Sequence, residues 1–187
     1  MNTTPPPRPL PNSYWATPQL LASEYPGARQ PAEAAHRLDL LLDAGIRDYY
    51  DLTAADEPLV PYEDLLRERA AHLGLPAESV RYRRFPITDA GLPTPHRLTD
   101  VLAALEDSAG AGRRAVVHCW GGVGRTGTVV GCYLQQHLGL SGEEALALIA
   151  EEWQSVEKVG RIAKSPETRE QAEFVRNFKP VAALLPS

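Results

Sequence analysis

Cysteine and basic charge are both scarce in this sequence. Its two cysteines, Cys119 and Cys132, make a poor framework for disulfide bonds, so we expect a protein of the reducing cytoplasm. The 19 lysines and arginines are outnumbered by 24 aspartates and glutamates, which gives a net charge of −5. We therefore expect no nucleic-acid partner, because no basic surface is needed to account for the composition.

Long apolar runs are missing as well. The longest ones are short and interrupted, which excludes a transmembrane helix. The N-terminal sequence MNTTPPPRPLPNSYW has prolines where an export signal would need an apolar segment, so we expect no export. The expected protein is cytoplasmic and binds no membrane. We also expect it to be a monomer.

The chain nevertheless contains enough material for one domain. With 187 residues and 43% hydrophobic content it can bury a sizeable core, and nothing in it indicates a second domain. Residues 1–11 contain five prolines and are predicted to be a disordered arm. The folded domain is predicted to cover residues 12–187.

Strand and helix patterns alternate along the chain. Four segments have the apolar pattern of strands, namely residues 19–27, 46–53, 79–88 and 113–119. Six segments have helical periodicity, namely residues 31–45, 62–74, 94–110, 125–139, 141–153 and 165–178. This alternation predicts a single α/β domain with a central, mostly parallel sheet flanked by helices.

The sequence RAVVHCWGGVGRTGTVVGCYL, residues 114–134, joins a buried strand to an apolar helix through a glycine-rich turn. In an open α/β sheet, ligands bind beyond the carboxyl ends of the strands. The backbone amides of such a turn, with the N-terminus of the helix behind them, form a cavity suited to an anion. Glycines let these amides converge, because they adopt backbone angles that a Cβ atom forbids. We therefore predict an anion-binding site in this turn.

Dinucleotide binding is one chemistry that could use this cavity. The segment from Gly122 to Gly127 satisfies the pattern G-x-G-x-x-G between a strand and a helix. That chemistry also requires an acidic residue about 20 positions downstream, after a second strand, to hold the ribose. Glu143 and Glu144 stand at about that distance, but they lie in a predicted helix cap. The match is therefore weak, and a nucleoside-triphosphate loop fails too, since Thr128 stands where its lysine should be.

Nucleophilic attack on a phosphate ester is the other chemistry. Cys119 ends its strand facing the amides of residues 120–125, and these amides, together with the helix dipole, favour its thiolate form. Arg125 can hold two phosphoryl oxygens with its planar guanidinium group, which a lysine cannot do. Thr126 can donate a hydrogen bond to the cysteine sulfur and help it to leave a thiophosphate intermediate. The ring of His118 is expected to orient the loop rather than to exchange protons.

These residues resemble those of a known family. The motif His118-Cys119-x5-Arg125-Thr126 is similar to the signature loop of the cysteine-dependent protein tyrosine and dual-specificity phosphatases. The resemblance covers about residues 14–178, and the order of elements is similar to the compact, kinase-associated type. It implies a dual-specificity phosphatase-like fold, a cysteinyl-phosphate intermediate, and neither a cofactor nor a metal. It also implies a phosphate-binding loop that consists of Trp120, Gly121, Gly122, Val123, Gly124 and Arg125.

The resemblance further implies a general acid and a residue that positions water. Asp89, in the segment FPITDAGLPTP, follows a predicted strand and precedes a turn that could carry its carboxyl group over the cavity. Asp100 is the competing carboxylate, but its place in an amphipathic helix favours a solvated surface position. The segment SPETREQAEFV is similar to the late helix in which a glutamine of the family positions the hydrolytic water, which indicates Gln171.

The loop sequence bears on the class of substrate. Positions 120–124 carry no charged residue, whereas family members that act on inositol phosphates tend to have lysines there. We therefore predict hydrolysis of phosphoproteins, at phosphotyrosine with or without phosphoserine and phosphothreonine. The alternatives are a phosphoinositide or inositol-phosphate phosphatase, a non-catalytic phosphate-binding module, and a sulfur transferase of the rhodanese type.

Two further features are interpreted as structural. Cys132, in the helix that follows the loop, is expected in the core rather than as a resolving thiol. Tyr14 and Trp15 are expected to pack as an N-terminal anchor rather than to bind substrate.

Overall fold

A five-stranded sheet forms the centre of residues 5–181, the part of the chain that the computed structural model describes. Residues 1–4 of the predicted arm and 182–187 of the predicted domain lie outside the described residues. The strands are β1 (Ser13–Thr17), β2 (Leu20–Ser23), β3 (Ile46–Asp51), β4 (Arg81–Arg84) and β5 (Arg114–His118). Their spatial order is β1-β2-β5-β3-β4; β1 is antiparallel to β2, and the other neighbouring pairs are parallel. The predicted α/β fold with a mostly parallel central sheet is confirmed.

Six α-helices of the described chain cover the two faces of this sheet. They are α1 (Pro31–Asp43), α2 (Glu63–His72), α3 (Pro95–Gly110), α4 (Gly124–Leu138), α5 (Gly142–Trp153) and α6 (Arg169–Asn177). Helices α1 and α2 pack on one face, and α3 to α6 form the core on the other. Within residues 5–181, no helix combines the length and the apolar composition needed to cross a membrane.

Strand β5 lies in the middle of the sheet and is buried on both sides. Val116 packs into the core under α1 and α2, while Val117 packs into the core under α3 to α6. Both side chains are fully buried, because successive residues of a strand point to opposite faces of the sheet. This explains why the centre of β5, Ala115-Val116-Val117, is uninterruptedly apolar.

Local chemistry sets the ends of the helices around the loop. Gly139 ends α4 in the left-handed conformation, with φ of +70°, which a glycine adopts without steric cost. At the start of α5, the side chain of Ser141 accepts a hydrogen bond from the Glu144 amide, and the Glu144 carboxylate accepts one from the Ser141 amide. This capping box is the one expected from the spacing of serine and glutamate.

Strand β1 is an element that the sequence analysis did not predict. It is an edge strand of five residues, and nearly all of it is buried, so its sequence SYWAT lacks the alternation that identifies a half-exposed strand. The ring of Tyr14 packs edge-on against Trp153 of α5, with centroids 6.4 Å apart. The interpretation of Tyr14 as an anchor is therefore confirmed, whereas Trp15 is only half-buried.

The segment before β1 differs from the predicted disordered arm. Leu10 is 3% exposed and belongs to the core under α1 and α2. Arg8 donates a hydrogen bond to the hydroxyl of Ser155 at 2.9 Å, and the carbonyl of Pro11 accepts one from the Glu157 amide. Residues 8–11 therefore pack on the domain, because one buried leucine and two hydrogen bonds outweigh the local preference of a proline-rich sequence.

Candidate active site

The glycine-rich turn lies at the carboxyl end of β5, where ligands bind in open α/β sheets. Cys119 is the first residue after β5, and α4 begins at Gly124. A cavity of about 280 Å³ opens at this turn. Cys119, Arg125 and Asp89, three residues that the sequence analysis assigned to one reaction, all line it.

The shape of the loop depends on Gly122. Its φ is +73°, in the left-handed region that favours glycine. A Cβ atom at this position would lie 2.6 Å from backbone atoms of Ser23 and Glu24, at the end of β2. Any larger residue would push the loop away from the sheet, so the glycine allows the close approach that sets the position of the turn.

The loop carbonyls are held from outside the turn. The carbonyl oxygen of Trp120 accepts a hydrogen bond from the Tyr25 amide at 3.0 Å, and that of Gly121 accepts one from Nζ of Lys158 at 3.0 Å. Lys158 is in turn 2.6 Å from a carboxylate oxygen of Glu24. The carbonyl oxygens of Trp120 and Gly121 therefore already have hydrogen-bond partners. The backbone amides of these two residues remain available to bind an anion.

Arg125 is almost fully buried, at 2% exposure, and a buried guanidinium group needs partners. Both of its terminal nitrogens bind the carboxylate of Glu57, with Nη2 donating to Oε2 at 3.0 Å. Nη1 also donates to the carbonyl oxygen of Ile87 at 3.0 Å, and Nη2 lies 2.9 Å from Oδ1 of Asp89. The two-pronged bond to Glu57 fixes the plane of the guanidinium group before any substrate arrives.

Glu57 is a residue of the site that the sequence analysis missed. It lies in the loop after β3, the neighbour of β5, and its Oε1 accepts a hydrogen bond from the Ala54 amide at 2.7 Å. Burial raises the pKa of Glu57, but the hydrogen bonds from Arg125 and Ala54 outweigh it and lower this pKa below its ordinary value. Only one signal could have found it, namely a carboxylate shortly after a buried strand, and that signal is weak.

Asp89 stands at the tip of the loop between β4 and α3. Its side chain is 71% exposed. Within the described residues, Asp89 forms its ion pair with Arg125. The next residue, Ala90, has φ of +56°, which is uncommon for a residue with a Cβ atom. The Gly91 amide then closes a tight turn by donating to the carbonyl oxygen of Thr88 at 2.9 Å. This turn projects Asp89 into the cavity.

Asp100, the competing carboxylate, does not line the cavity. It lies on α3, where its Oδ2 is 3.5 Å from His96 and 3.8 Å from Arg97. Both neighbours are on the same helix face, so these are surface ion pairs of the i, i+3 and i, i+4 kind. The geometry therefore favours Asp89 over Asp100 as the acid of this site.

Thr126 is fully buried in the first turn of α4. Its hydroxyl has no hydrogen-bond partner within residues 5–181, so the predicted bond to the sulfur of Cys119 is absent from this structure. A buried hydroxyl without a partner costs about 1–3 kcal/mol. Thr126 thus offers an unused donor at the start of the helix, and its role toward the sulfur stays a prediction.

Gln171 is fully buried in the first turn of α6. Its Nε2 donates to the carbonyl oxygen of Gly91 at 3.2 Å, and its Oε1 accepts from the Thr168 amide at 3.1 Å. The same amide group lies so close to Gly124 that a Cβ atom there would be 2.8 Å from Oε1. Gln171 therefore connects the Asp89 loop to the start of α4. It is not itself among the residues that line the cavity.

His118 supports the loop from behind. Its ring is fully buried, with Nε2 2.6 Å from the hydroxyl of Tyr62 and Nδ1 3.2 Å from the carbonyl oxygen of Cys119. Burial lowers the pKa of His118, and this effect outweighs the opposing attraction of the Asp51 carboxylate. A neutral ring held at both nitrogens supports the expectation that His118 orients the loop rather than exchanging protons.

Cys132 is fully buried in the middle of α4, and its interpretation as a core residue is confirmed. Burial raises the pKa of its thiol far above the ordinary value, so it is an inert thiol. The described residues contain no group of three or more histidine, cysteine, aspartate or glutamate side chains arranged to hold a metal ion.

Comparison with known proteins places this geometry in a family. The chain is 29% identical over 142 residues to protein 067L of Invertebrate iridescent virus 3, which is named as a tyrosine phosphatase. The aligned region is 73% of this chain and 51% of the viral protein, so the chain spans about half the length of that curated relative.

Solved structures show the same fold. The active form of Tk-PTP superposes with a TM-score of 0.67 and 25% identity, over 89% of this chain and 95% of Tk-PTP. Kinase associated phosphatase, solved with its catalytic-site cysteine replaced by serine, superposes with a TM-score of 0.58 and 20% identity. That match covers 85% of this chain and 84% of the other, and it confirms the expected likeness in fold to the kinase-associated type.

A family model covers most of the domain. The model of PTP-SAK, the Swiss Army Knife protein, DSP-PTPase phosphatase domain, matches residues 23–178. This range contains Cys119, Arg125 and Asp89, and it runs from the end of β2 to the residue after α6. The chain therefore belongs to the PTP-SAK family, whose domain is of the DSP-PTPase type.

Proposed function

We propose that this protein hydrolyses phosphomonoesters on phosphoproteins through a cysteinyl-phosphate intermediate, at phosphotyrosine with or without phosphoserine and phosphothreonine. The observation that carries the proposal is the convergence of Cys119, Arg125 and Asp89 on one cavity, with Asp89 Oδ1 2.9 Å from Arg125 Nη2. A thiol nucleophile, a fixed guanidinium group and a carboxylic acid are the groups that displacement at phosphorus requires.

In the first step, the thiolate of Cys119 attacks the phosphorus atom. The S–P bond forms while the P–O bond to the leaving group breaks, and Asp89 donates its proton to the leaving oxygen. The amides of residues 120–124 and the guanidinium group of Arg125 stabilise the charge on the three remaining oxygens. The products of this step are the free alcohol or phenol and phosphorylated Cys119.

In the second step, water attacks the same phosphorus atom. Asp89 accepts the proton of the water, and the S–P bond breaks to release inorganic phosphate and the thiolate of Cys119. Thr126, whose hydroxyl has no partner in the described chain, donates a hydrogen bond to the departing sulfur. Gln171 keeps one donor and one acceptor of its amide group unused, but it is fully buried and does not line the cavity, so its action on the water stays a prediction.

The charges of the cavity support a substrate with one phosphoryl group. The cations that line it, Arg125 and Lys158, are paired with Glu57 and Glu24 respectively. Glu167 adds a further carboxylate to the lining. A second phosphate would meet this negative charge without a free cation to offset it, which disfavours inositol polyphosphates.

The direct test is hydrolysis of p-nitrophenyl phosphate and of phosphotyrosine peptides in EDTA. We expect turnover of both, unchanged by the chelator, because Arg125 and the loop amides supply the positive charge. Rapid release of phosphate from an inositol phosphate, without hydrolysis of the phosphopeptides, would instead indicate the phosphoinositide or inositol-phosphate phosphatase. Vanadate binding without any turnover would indicate a phosphate-binding module.

Replacement of the proposed general acid should have an effect that depends on the leaving group. We expect Asp89→Asn to lower kcat for phenyl phosphate by about 10²- to 10⁴-fold, since phenolate needs a proton. The loss should be much smaller for p-nitrophenyl phosphate, whose leaving group is stable as an anion.

Asp100→Asn is the matched control for this prediction. Asp100 is a carboxylate on the helix that follows the Asp89 loop, and within residues 5–181 its ion pairs are with His96 and Arg97 of its own helix. We expect kcat for both substrates within twofold of the wild type. Equal losses in the two variants, or an Asp89→Asn defect that is the same for both leaving groups, would argue against Asp89 as the acid.

A further inference from the structure

A second cavity, of about 150 Å³, adjoins the one at Cys119. Trp120 lines both, so the two cavities are neighbours that share this side chain. We call this second cavity the flanking groove; its other lining residues lie within 25–29 and 58–60. Apolar side chains such as Leu59, Val60 and Trp120 share this lining with about as much polar surface, and Arg29 is the charged residue among the described lining.

The flanking groove is a built feature rather than a gap between loops. The hydroxyl of Tyr25 donates to the carbonyl oxygen of Val60 at 3.0 Å, and the Tyr25 amide donates to the carbonyl oxygen of Trp120. Gly27 lies against the same ring, where a Cβ atom would be 2.5 Å from it. The two sides of the groove are therefore tied together through one buried tyrosine, and its width is set before a ligand binds.

The rim of the groove exposes apolar side chains. Trp120 is 47% exposed and Val60 is 48% exposed, which are high values for large apolar residues. The carbonyl oxygens of Val60 and Trp120 are already bonded to Tyr25, so the apolar surface of these two side chains is what the rim adds for a ligand. Covering that surface is favourable by about 25 cal/mol for each Å² removed from water.

One loop fixes the position of the groove relative to the reaction centre. Glu57, which holds Arg125, is followed directly by residues 58–60 of the groove wall. The amide of Leu59 donates to the carbonyl oxygen of Glu57 at 2.7 Å, which makes this segment a tight turn. This loop therefore sets the distance between a phosphoryl group bound at Arg125 and a side chain bound in the groove.

We propose that the flanking groove binds one apolar side chain of the phosphoprotein substrate, within two residues of the phosphorylated residue. This inference rests on the proposed function. A cavity of about 150 Å³ has room for a group of the size of benzene, which matches a leucine, isoleucine or methionine side chain, and the exposed Trp120 and Val60 side chains supply its apolar contacts. The groove therefore selects among phosphoproteins, while the cavity at Cys119 recognises the phosphoryl group that all of them share.

The test is a set of phosphotyrosine peptides with serine at the two positions on either side of the phosphotyrosine. Leucine replaces each of these serines in turn, and kcat/KM is measured for every peptide. We expect leucine at one position to raise kcat/KM by about tenfold, the smaller end of the discrimination that an apolar pocket provides. p-Nitrophenyl phosphate, which does not reach the groove, reports the basal activity.

Two substitutions should abolish this preference from opposite directions. Val60→Ser removes apolar rim surface, and Ala28→Leu fills the groove with a side chain of the protein itself. In both variants we expect the leucine preference to fall to twofold or less, with kcat/KM for p-nitrophenyl phosphate unchanged. Leu138→Ser, which removes a 50% exposed leucine about 20 Å along α4 from the loop, should keep the full preference.

Each other outcome overturns the proposal in a recognisable way. Hydrolysis of all peptides without a leucine preference, or a preference that survives in both variants, would overturn the proposed role of the groove. Either result would leave the proposed function intact. A Val60→Ser defect confined to a long-chain phosphoinositide would assign the groove to a lipid chain. Absence of turnover of p-nitrophenyl phosphate and of every peptide would overturn the proposed function together with the groove.

Discussion

Substitution of Cys119 by serine should lower kcat for p-nitrophenyl phosphate by at least about 10⁴-fold, as loss of a nucleophile does in other enzymes. Serine is close in shape to cysteine but is a weak nucleophile unless a base removes its proton. The adjacent His118 cannot act as that base, because its two ring nitrogens are engaged with the Tyr62 hydroxyl and the Cys119 carbonyl oxygen. The serine hydroxyl would thus stay protonated and unreactive in this loop.

The loss should be chemical and not structural. The loop amides and Arg125 are unchanged in Cys119→Ser, so phosphate or vanadate should still bind and raise the thermal stability of the variant. Cys132→Ala is the matched control, since it removes the other thiol, which is fully buried in α4. We expect it to lower stability but to retain kcat. Activity of Cys119→Ser within about tenfold of the wild type would mean that a different group attacks phosphorus.

The sequence predicted most of the sheet and the loop because these features depend on local chemistry. The centre of strand β5 is buried on both faces, so Ala115, Val116 and Val117 form an apolar run, and the glycine-rich loop requires Gly122 at a fixed place because of its positive φ. Cys119 and Arg125 are six positions apart in one short segment. Their joint position on the cavity thus follows from the loop alone.

Features that depend on contacts between distant segments were not predictable in the same way. Glu57 is 68 residues from Arg125 in the sequence, and no spacing rule connects them. Lys158 reaches the loop from the segment after α5, 37 residues beyond Gly121. Each is an ordinary charged residue in its own neighbourhood, so only the parallel packing of β3 against β5 and the return of the chain after α5 give it a role.

Asp89 and Gln171 lie between these two cases. Each was assigned through a resemblance, and the structure brings both to the start of α4 through the loop between β4 and α3. For Asp89 the turn residues gave a physical reason, because Ala90 and Gly91 form the sharp bend that projects it. For Gln171 no contact partner could be predicted from the sequence, because its bond to the Gly91 carbonyl oxygen joins segments 80 residues apart.

Arg125→Lys should lower kcat/KM for p-nitrophenyl phosphate by about 10³-fold, the smaller end of the effect of an arginine that stabilises phosphoryl transfer. The change keeps the positive charge but removes the planar group that holds two oxygens at once. In the structure, that plane is fixed by Glu57 from one side, and Nη2 lies 2.9 Å from Asp89. A lysine ammonium group at this buried position could satisfy Glu57 or a phosphoryl oxygen, but not both in one geometry.

The contact between Arg125 and Asp89 adds a second expectation for Arg125→Lys. In the described structure Asp89 occupies Nη2, a nitrogen that a bound phosphoryl group would take. Substrate binding must therefore displace the Asp89 carboxylate, and the displaced group lies next to the leaving oxygen that it is proposed to protonate. In Arg125→Lys there is no Nη2 from which the substrate could displace Asp89 toward the leaving oxygen. We therefore expect kcat to fall by a larger factor than the affinity for phosphate.

Arg113→Lys is the matched control for charge and partner type. Arg113 also binds a carboxylate with two nitrogens, that of Asp48, through Nε and Nη2. It precedes β5, whereas Cys119 follows it, so the two positions lie about 17–20 Å apart at opposite ends of one strand. We expect Arg113→Lys to lower thermal stability with kcat/KM nearly unchanged.

Glu57→Gln separates the fixed orientation of the guanidinium group from its charge. The amide can still accept one hydrogen bond from Arg125 but cannot form the charged, two-pronged pair. We expect a loss in kcat/KM of about tenfold, roughly the value of one charge-assisted hydrogen bond. If Glu57→Gln were as inactive as Arg125→Lys, Glu57 would be needed for more than orientation. If it were fully active, the plane of Arg125 would be set by the substrate and not by the protein.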